Sequence, residues 1–134
     1  GWYHVVLTFD DSANDLILYV NGVNVAENLG FTISTNNNNS EFMIGNRNAG
    51  SNAWYDGRVD EVAFWDTELS ANAVSALYNS GAGLSASSNS GNYTFSGDLL
   101  IYLKMQQNLQ DSANSYDFSN QNLNDPDDYD QTNF

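Results

Sequence analysis

The chain has 134 residues, 41 % of them hydrophobic and 13 % aromatic, which is enough apolar surface for one ordinary core and argues against wholesale disorder. Seventeen acidic residues stand against Lys104, Arg47 and Arg58, a formal net charge of −14, so nucleic acid and anionic membrane surfaces find no basic patch to meet. There is no cysteine, hence no disulfide or thiol chemistry, and no apolar run approaches the ~20 residues that span a bilayer.

Trp2 to Phe9 alternates, with Tyr3, Val5, Leu7 and Phe9 on one face and Trp2, His4, Val6 and Thr8 on the other. Both faces are largely apolar, which predicts a sandwich strand covered on both sides. Because strand pattern begins at once after Gly1, the chain reads as one trimmed from something longer. Asp10 to Asp15 is a polar turn, and Leu16 to Val20 a second strand. Asn21-Gly22 then separates it from Val23 to Ala26. Asn-Gly between apolar runs predicts a type I′ hairpin, which needs positive φ at both central positions. Phe31 to Ile33 is a candidate short strand, Asn36 to Asn39 a loop, and Glu41 to Ile44 a strand stopped by Gly45. Asn46 to Gly57 is a long polar loop holding Trp54 and Tyr55, and Arg58 to Trp65 is the next strand.

From there the period becomes helical. Ser70 is a good N-cap, Val74, Leu77 and Tyr78 share a face, and Gly81 is the expected stop, giving one short helix over about 70–80. Residues 85–97, within a stretch rich in Gly, Ser and Asn, read as a linker. Asp98 to Met105 alternates as a further strand, and an acidic polar tail ends in Asp125-Pro126-Asp127-Asp128-Tyr129-Asp130. Asp-Ser-Ala-Asn occurs at Asp11 and again at Asp111, too short a match to argue a repeat. The sequons at Asn38 and Asn92 are treated as chance.

Trp2-Tyr3-His4-Val5-Val6-Leu7-Thr8-Phe9-Asp10, Leu18-Tyr19-Val20-Asn21-Gly22, Met43-Ile44-Gly45, Gly57-Arg58-Val59-Asp60-Glu61-Val62-Ala63-Phe64-Trp65 and Leu69-Ser70 with Leu77-Tyr78 form an ordered series. Each motif is weak alone, but the order and spacing resemble the second half of a laminin G-like, concanavalin A-like lectin domain of the pentraxin-related branch. The resemblance spans residues 1 to about 84. It implies an all-β, antiparallel two-sheet jelly roll whose relatives mostly bind sugars, proteins or cell surfaces, often with Ca²⁺. Residues 98–134, with Leu100-Ile101-Tyr102-Leu103 and Asp111-Ser112, resemble the opening of such a domain. They either start a second domain or fold back to complete the first. A half jelly roll leaves open strand edges and a bare apolar face. Cover from further polypeptide of the parent protein, or from a neighbouring chain, is the expectation.

Asp60 and Glu61 resemble a catalytic pair only superficially. Adjacent strand residues point to opposite faces, and the Glu-x-Asp-x-x-Glu spacing of glycoside hydrolases on this fold is absent. His4 is the only histidine, so neither a triad nor a zinc site can be built on it. Trp54 and Tyr55, with Asn52 beside them, are the candidate ligand-binding residues, because loop aromatics stack on sugar rings at low entropic cost; one of them acting as a lid on the sandwich is the plainer alternative. By resemblance, the pentraxin-type calcium loop falls at Gly45 to Asn48, which makes Asn46, Asn48 and Asp56 the candidate metal residues. Arg47 stands where that loop carries acids. The functional expectation is a non-catalytic binding or adhesion module, displayed on a cell or virion surface or secreted, directed at carbohydrate or protein. A structural module of a virion, fibre or surface layer is the alternative, and a glycoside hydrolase the third reading.

Overall fold

The computed structural model describes residues 1–31, 42–45, 55–105 and 111–114. Strands β1 (Val5–Asp10), β2 (Asp15–Val20) and β3 (Val23–Leu29) form one antiparallel sheet in the order β1-β2-β3. Strands β4 (Val62–Trp65) and β5 (Leu99–Leu103) form a second antiparallel sheet, and a single helix, α1 (Ala71–Tyr78), lies between them in sequence. This is the antiparallel two-sheet architecture with one short helix that the motif series implies.

Local chemistry sets the first sheet. Asp10 ends β1, and its Oδ1 accepts hydrogen bonds from the Ser12 hydroxyl at 2.6 Å, the Ser12 N–H at 2.7 Å and the Ala13 N–H at 3.1 Å. Those donors, the Ser12 hydroxyl foremost, hold the Asp10 carboxyl below its ordinary pKa. Asn14 takes a left-handed φ of 57° to close the turn, and β1 and β2 then pair from Asp10↔Asp15 to Val5↔Val20. At the other end Asn21 and Gly22 have φ of 52° and 77°, the type I′ geometry expected of Asn-Gly. Asn21 also pins the start of the sheet: its N–H donates to His4 O at 2.8 Å, and its Oδ1 accepts from His4 N–H at 3.0 Å. A Cβ on Gly22 would sit 3.2 Å from Tyr78 Cδ1 and 3.3 Å from Ser75 Cα, so the hairpin tip needs glycine for its approach to α1 as well as for its φ. β3 runs three residues beyond the expected Ala26, with Val25 left unpaired in a bulge opposite Leu18 and Tyr19.

Register sorts the side chains of this sheet onto two faces. Val6, Ile17 and Tyr19 point to α1 and pack with its Ala73, Val74 and Leu77 and with Leu69 and Tyr93. Val5, Leu7 and Val23 lie on the opposite face, at 61 %, 62 % and 63 % exposure. Among the described residues the α1 side of β1 is covered, while on the other side Phe9 meets the Phe31 ring and Val5 and Leu7 stay exposed.

Ser70 caps α1 as expected, accepting the Ala73 N–H on its hydroxyl at 3.2 Å. The stop is Asn79 at φ 47° rather than Gly81; asparagine tolerates the left-handed cap, and its side-chain amide donates to Gly83 O at 3.1 Å. The expected strand over Arg58 to Trp65 is shorter, because Glu61 at φ 54° interrupts the extended backbone before Val62. Phe31 and residues 42–45 are not in strands; Phe31 instead sets its ring edge-on to Phe9 at 6.5 Å, and Phe42 to Phe64 at 5.0 Å. The remaining residues of those two expected strands lie outside the described ones.

The stretch expected as a linker contributes to the core. Tyr93 is wholly buried and Ala86 nearly so. The Tyr93 hydroxyl accepts the Trp65 Nε1–H at 2.9 Å and donates to Ala86 O at 2.7 Å, tying that stretch to β4. A Gly- and Ser-rich composition hid these two anchors. β5 pairs with β4 from Val62↔Leu103 to Trp65↔Leu99. On its other side the short segment 111–114 lies against it. Asp111 Oδ1 accepts from Tyr102 N–H and Ala113 N–H, both at 2.8 Å, and Asn114 Nδ2 donates to Leu100 O at 2.6 Å. The two Asp-Ser-Ala-Asn segments are not equivalent. The acceptor in the first turn is Asp10, one residue before the tetrapeptide, whereas in the second it is Asp111, the tetrapeptide's own first residue.

Candidate functional site

Gly45 and Tyr55, the described residues on either side of 46–54, are joined by a Tyr55 N–H to Gly45 O hydrogen bond of 2.8 Å. Tyr55 is 59 % exposed, and its ring lies against Gly57. A Cβ on Gly57 would fall 2.7 Å from Tyr55 Cε1 and Cζ and 2.8 Å from its hydroxyl, so the ring lies directly on the bare Gly57 backbone. Gly45, at φ 79°, faces Tyr55 Cβ at 4.0 Å from where its own Cβ would be. The missing side chain at Gly57 is what makes room for the Tyr55 ring. Asp56, the next residue, is exposed, as is Phe42 at 57 %. The other expected ligand-binding residues, Trp54 and Asn52, and the expected metal residues Asn46 and Asn48 lie outside the described residues, so of the six only Tyr55 and Asp56 are placed.

For calcium, the fit can be judged only at Asp56. Its carboxylate is the right donor type and open to solvent, but a hard cation takes six to eight oxygens, and among the described residues no group of three His, Cys, Asp or Glu is gathered.

The second cluster lies at the start of β4. Glu61 is exposed overall, but its carboxylate accepts the O–H of buried Tyr102. Partial desolvation raises the Glu61 pKa, the Tyr102 hydrogen bond opposes that, and the Asp60 charge adds to it. Tyr102 is pushed up to about 12, first by burial and then by its bond to Glu61. Ser85 Oγ lies 3.3 Å from the Tyr102 hydroxyl, and Lys104 Nζ 5.5 Å from its ring centre. Asp60, with its own pKa raised by burial, accepts the Glu61 N–H at 3.0 Å. The opposite-faces argument for this pair does not hold, since Glu61 at φ 54° precedes the strand. The pair's engagement rests instead on these hydrogen bonds, which tie β4, β5 and the 85–86 turn together.

His4 is half-buried, stacked on Tyr78 at 6.0 Å and 25°, with Nδ1 buried and unpartnered among the described residues. Desolvation lowers its pKa. It is a packing residue of the β1–α1 contact, with no second ligand or nucleophile gathered beside it among the described residues.

A family model described as the concanavalin A-like lectin/glucanases superfamily matches residues 1–75, more than half the chain. The chain belongs to that superfamily. Its matched part holds both the β1–β2–β3 sheet and the Tyr55 surface, and it stops within α1. Comparison of this concanavalin A-like chain with curated proteins and with solved structures returned no match. Membership points, in general terms, to a binding module for carbohydrate or protein. No helix among the described residues is long and apolar enough to cross a membrane.

The placement of Tyr55 on Gly57 had one faint signal in the sequence, a glycine two residues after an aromatic in a polar loop. The Glu61–Tyr102 and Trp65–Tyr93 bonds had none, because their partners are 41 and 28 residues apart.

Proposed function

We propose that this concanavalin A-like domain is a non-catalytic binding module, displayed outside the cell or on a virion, that grips carbohydrate through the Tyr55 ring. The observation that supports it most is the exposed Tyr55 ring lying against Gly57: an aromatic plane with few rotatable bonds loses little entropy when a sugar ring stacks on it. Trp54 and Asn52, its near neighbours in sequence, extend the surface in this reading. The site works by stacking and leaves Glu61, already engaged with Tyr102, outside any turnover. A glycan array tests it. Saturable retention that falls by roughly 10- to 30-fold in Tyr55→Ala, the size of an aromatic anchor's contribution, supports the proposal; retention unchanged in that variant refutes it. A calcium ion held by Asn46, Asn48 and Asp56 is a subsidiary proposal. Three protein oxygens leave most of its shell to water, so it would bind weakly, in the range of about 10⁻⁴–10⁻³ M that calorimetric titration with CaCl₂ reads.

A second reading has its own observation. Val5, Leu7 and Val23 form an uncharged, exposed sheet face, the kind of surface that assembly covers. A structural role in a virion, fibre or surface layer would bury it under a neighbouring chain or further polypeptide of the same protein. Concentration-dependent mass by light scattering, abolished in Leu7→Lys, would favour that role over sugar binding.

A further inference from the structure

We infer that Asn92 is an acceptor for N-linked glycosylation, modified when the chain is exported past a lipid-linked oligosaccharide donor. Only the setting outside the cell is shared with the reading above; the Tyr55 surface plays no part. Asn92-Tyr93-Thr94 fits the Asn-x-Thr pattern, which sequence alone leaves as chance. The structure supplies the surface turn that the pattern requires. Ser90 to Tyr93 close a tight turn, with the Tyr93 N–H donating to Ser90 O at 3.0 Å and the Ser90 N–H to Tyr93 O at 2.9 Å. Gly91 takes φ 56° at the first central position, as a type II′ turn demands, and Asn92 stands at the second. Asn92 and Thr94 are both exposed, whereas Tyr93 between them is wholly buried and tied by its hydroxyl to Trp65 and Ala86. One buried ring thus anchors the turn, and the two residues that a glycosyltransferase reads stay outside. Asn92 is also uncommitted. Asn21, Asn24, Asn79, Asn89 and Asn114 each spend a side-chain atom on a hydrogen bond. Among the described residues the Asn92 amide has no partner, so a glycan on its Nδ2 displaces no bond of the fold. In the transfer, Nδ2 attacks the anomeric carbon of an oligosaccharide carried on a lipid diphosphate. The new C–N bond replaces the anomeric C–O bond, the lipid diphosphate leaves with its electron pair, and one Nδ2 proton passes to the transferase.

The test is expression of the full chain behind an export leader in insect cells, with Asn38→Gln throughout so that the sequon at Asn92 stands alone. Enzymatic release of glycans in heavy-oxygen water, followed by peptide mapping with mass spectrometry, reads occupancy in the secretory compartments and the medium alike. The expected result is a glycan at Asn92 on most chains, absent in Asn92→Gln and Thr94→Ala and kept in Thr94→Ser, which retains the hydroxyl. Asn92→Gln should melt with the parent, since its amide holds nothing. An exported chain with Asn92 bare, a glycan there that survives Thr94→Ala, or a clear loss of Tm in Asn92→Gln would each overturn the assignment. Tyr55→Ala should be modified as fully as the parent, and a modified parent that retains no sugar on an array would sink the carbohydrate reading alone.

Discussion

Tyr93→Phe removes one oxygen and no carbon, so it leaves no cavity worth counting, but it strips two buried groups of their partner. Trp65 Nε1–H loses its acceptor and Ala86 O its donor. Each buried polar group left unpaired costs about 1–3 kcal/mol. Trp65 is only partly buried and water can relieve its N–H, so the sum belongs at the low end, about 2–4 kcal/mol. In a domain of this size each kcal/mol moves Tm by roughly 3–5 °C, so the variant should melt roughly 6–20 °C lower. Thermal and urea unfolding followed by circular dichroism read this directly, with the urea slope unchanged if only the native state is affected. Trp65→Phe provides the partner arm: it removes the donor and leaves the Tyr93 bond to Ala86 intact. The double variant should then show a coupling of about 0.5–3 kcal/mol between the two sites. A Tyr93→Phe protein that melts within roughly 2 °C of the parent would refute the bridging hydroxyl as a tie between the 84–95 stretch and β4.

Ser70→Ala should cost about 1 kcal/mol through loss of the α1 N-cap, measured by urea unfolding. Gly22→Ala should cost more, about 1–3 kcal/mol, because it combines a left-handed φ with contact against Tyr78 and Ser75. Leu7→Lys should change stability by less than about 0.5 kcal/mol, since the side chain already meets water; a loss several times larger would mean that its face is covered in solution. His4 is held neutral by burial, so its folded pKa lies below 6.5, and the stability this gives is present above that value and lost as pH falls through the folded pKa. Tm measured from about pH 7.5 down to about pH 5.5 should therefore fall less steeply in His4→Gln than in the parent. Glu61 acts in the opposite sense: its raised pKa gives stability that is present below 4.5 and lost as pH rises through the folded value, so Glu61→Gln should remove that decline.

Where chemistry is local, the sequence reveals it. Asn21-Gly22 dictates a turn because only such residues accept two consecutive positive φ values, and Ser70 caps because its hydroxyl reaches a free N–H one turn on. The alternation of Val5 to Phe9 and Leu16 to Val20 places the strands, and the motif series places the family. Alternation alone does not tell which face is covered, so Val5 and Leu7 read as core while standing in solvent. The strand expected from Arg58 starts only at Val62, because Glu61 takes a left-handed φ, and the Glu61 bond to a tyrosine 41 residues away is one that no window of sequence contains. The 85–97 stretch reads as spacer because Ser and Gly outnumber its two anchors, yet Tyr93 is among the most deeply buried side chains described. At the candidate site, sequence supplied an aromatic in a loop; only the coordinates show that its ring lies against the bare Gly57.

Asp111 and Asn114 occupy the outer margin of β5 with side-chain and main-chain partners alike, so that margin is spent. An incoming strand could therefore extend the small sheet at that flank only by first displacing the 111–114 segment and giving back its hydrogen bonds.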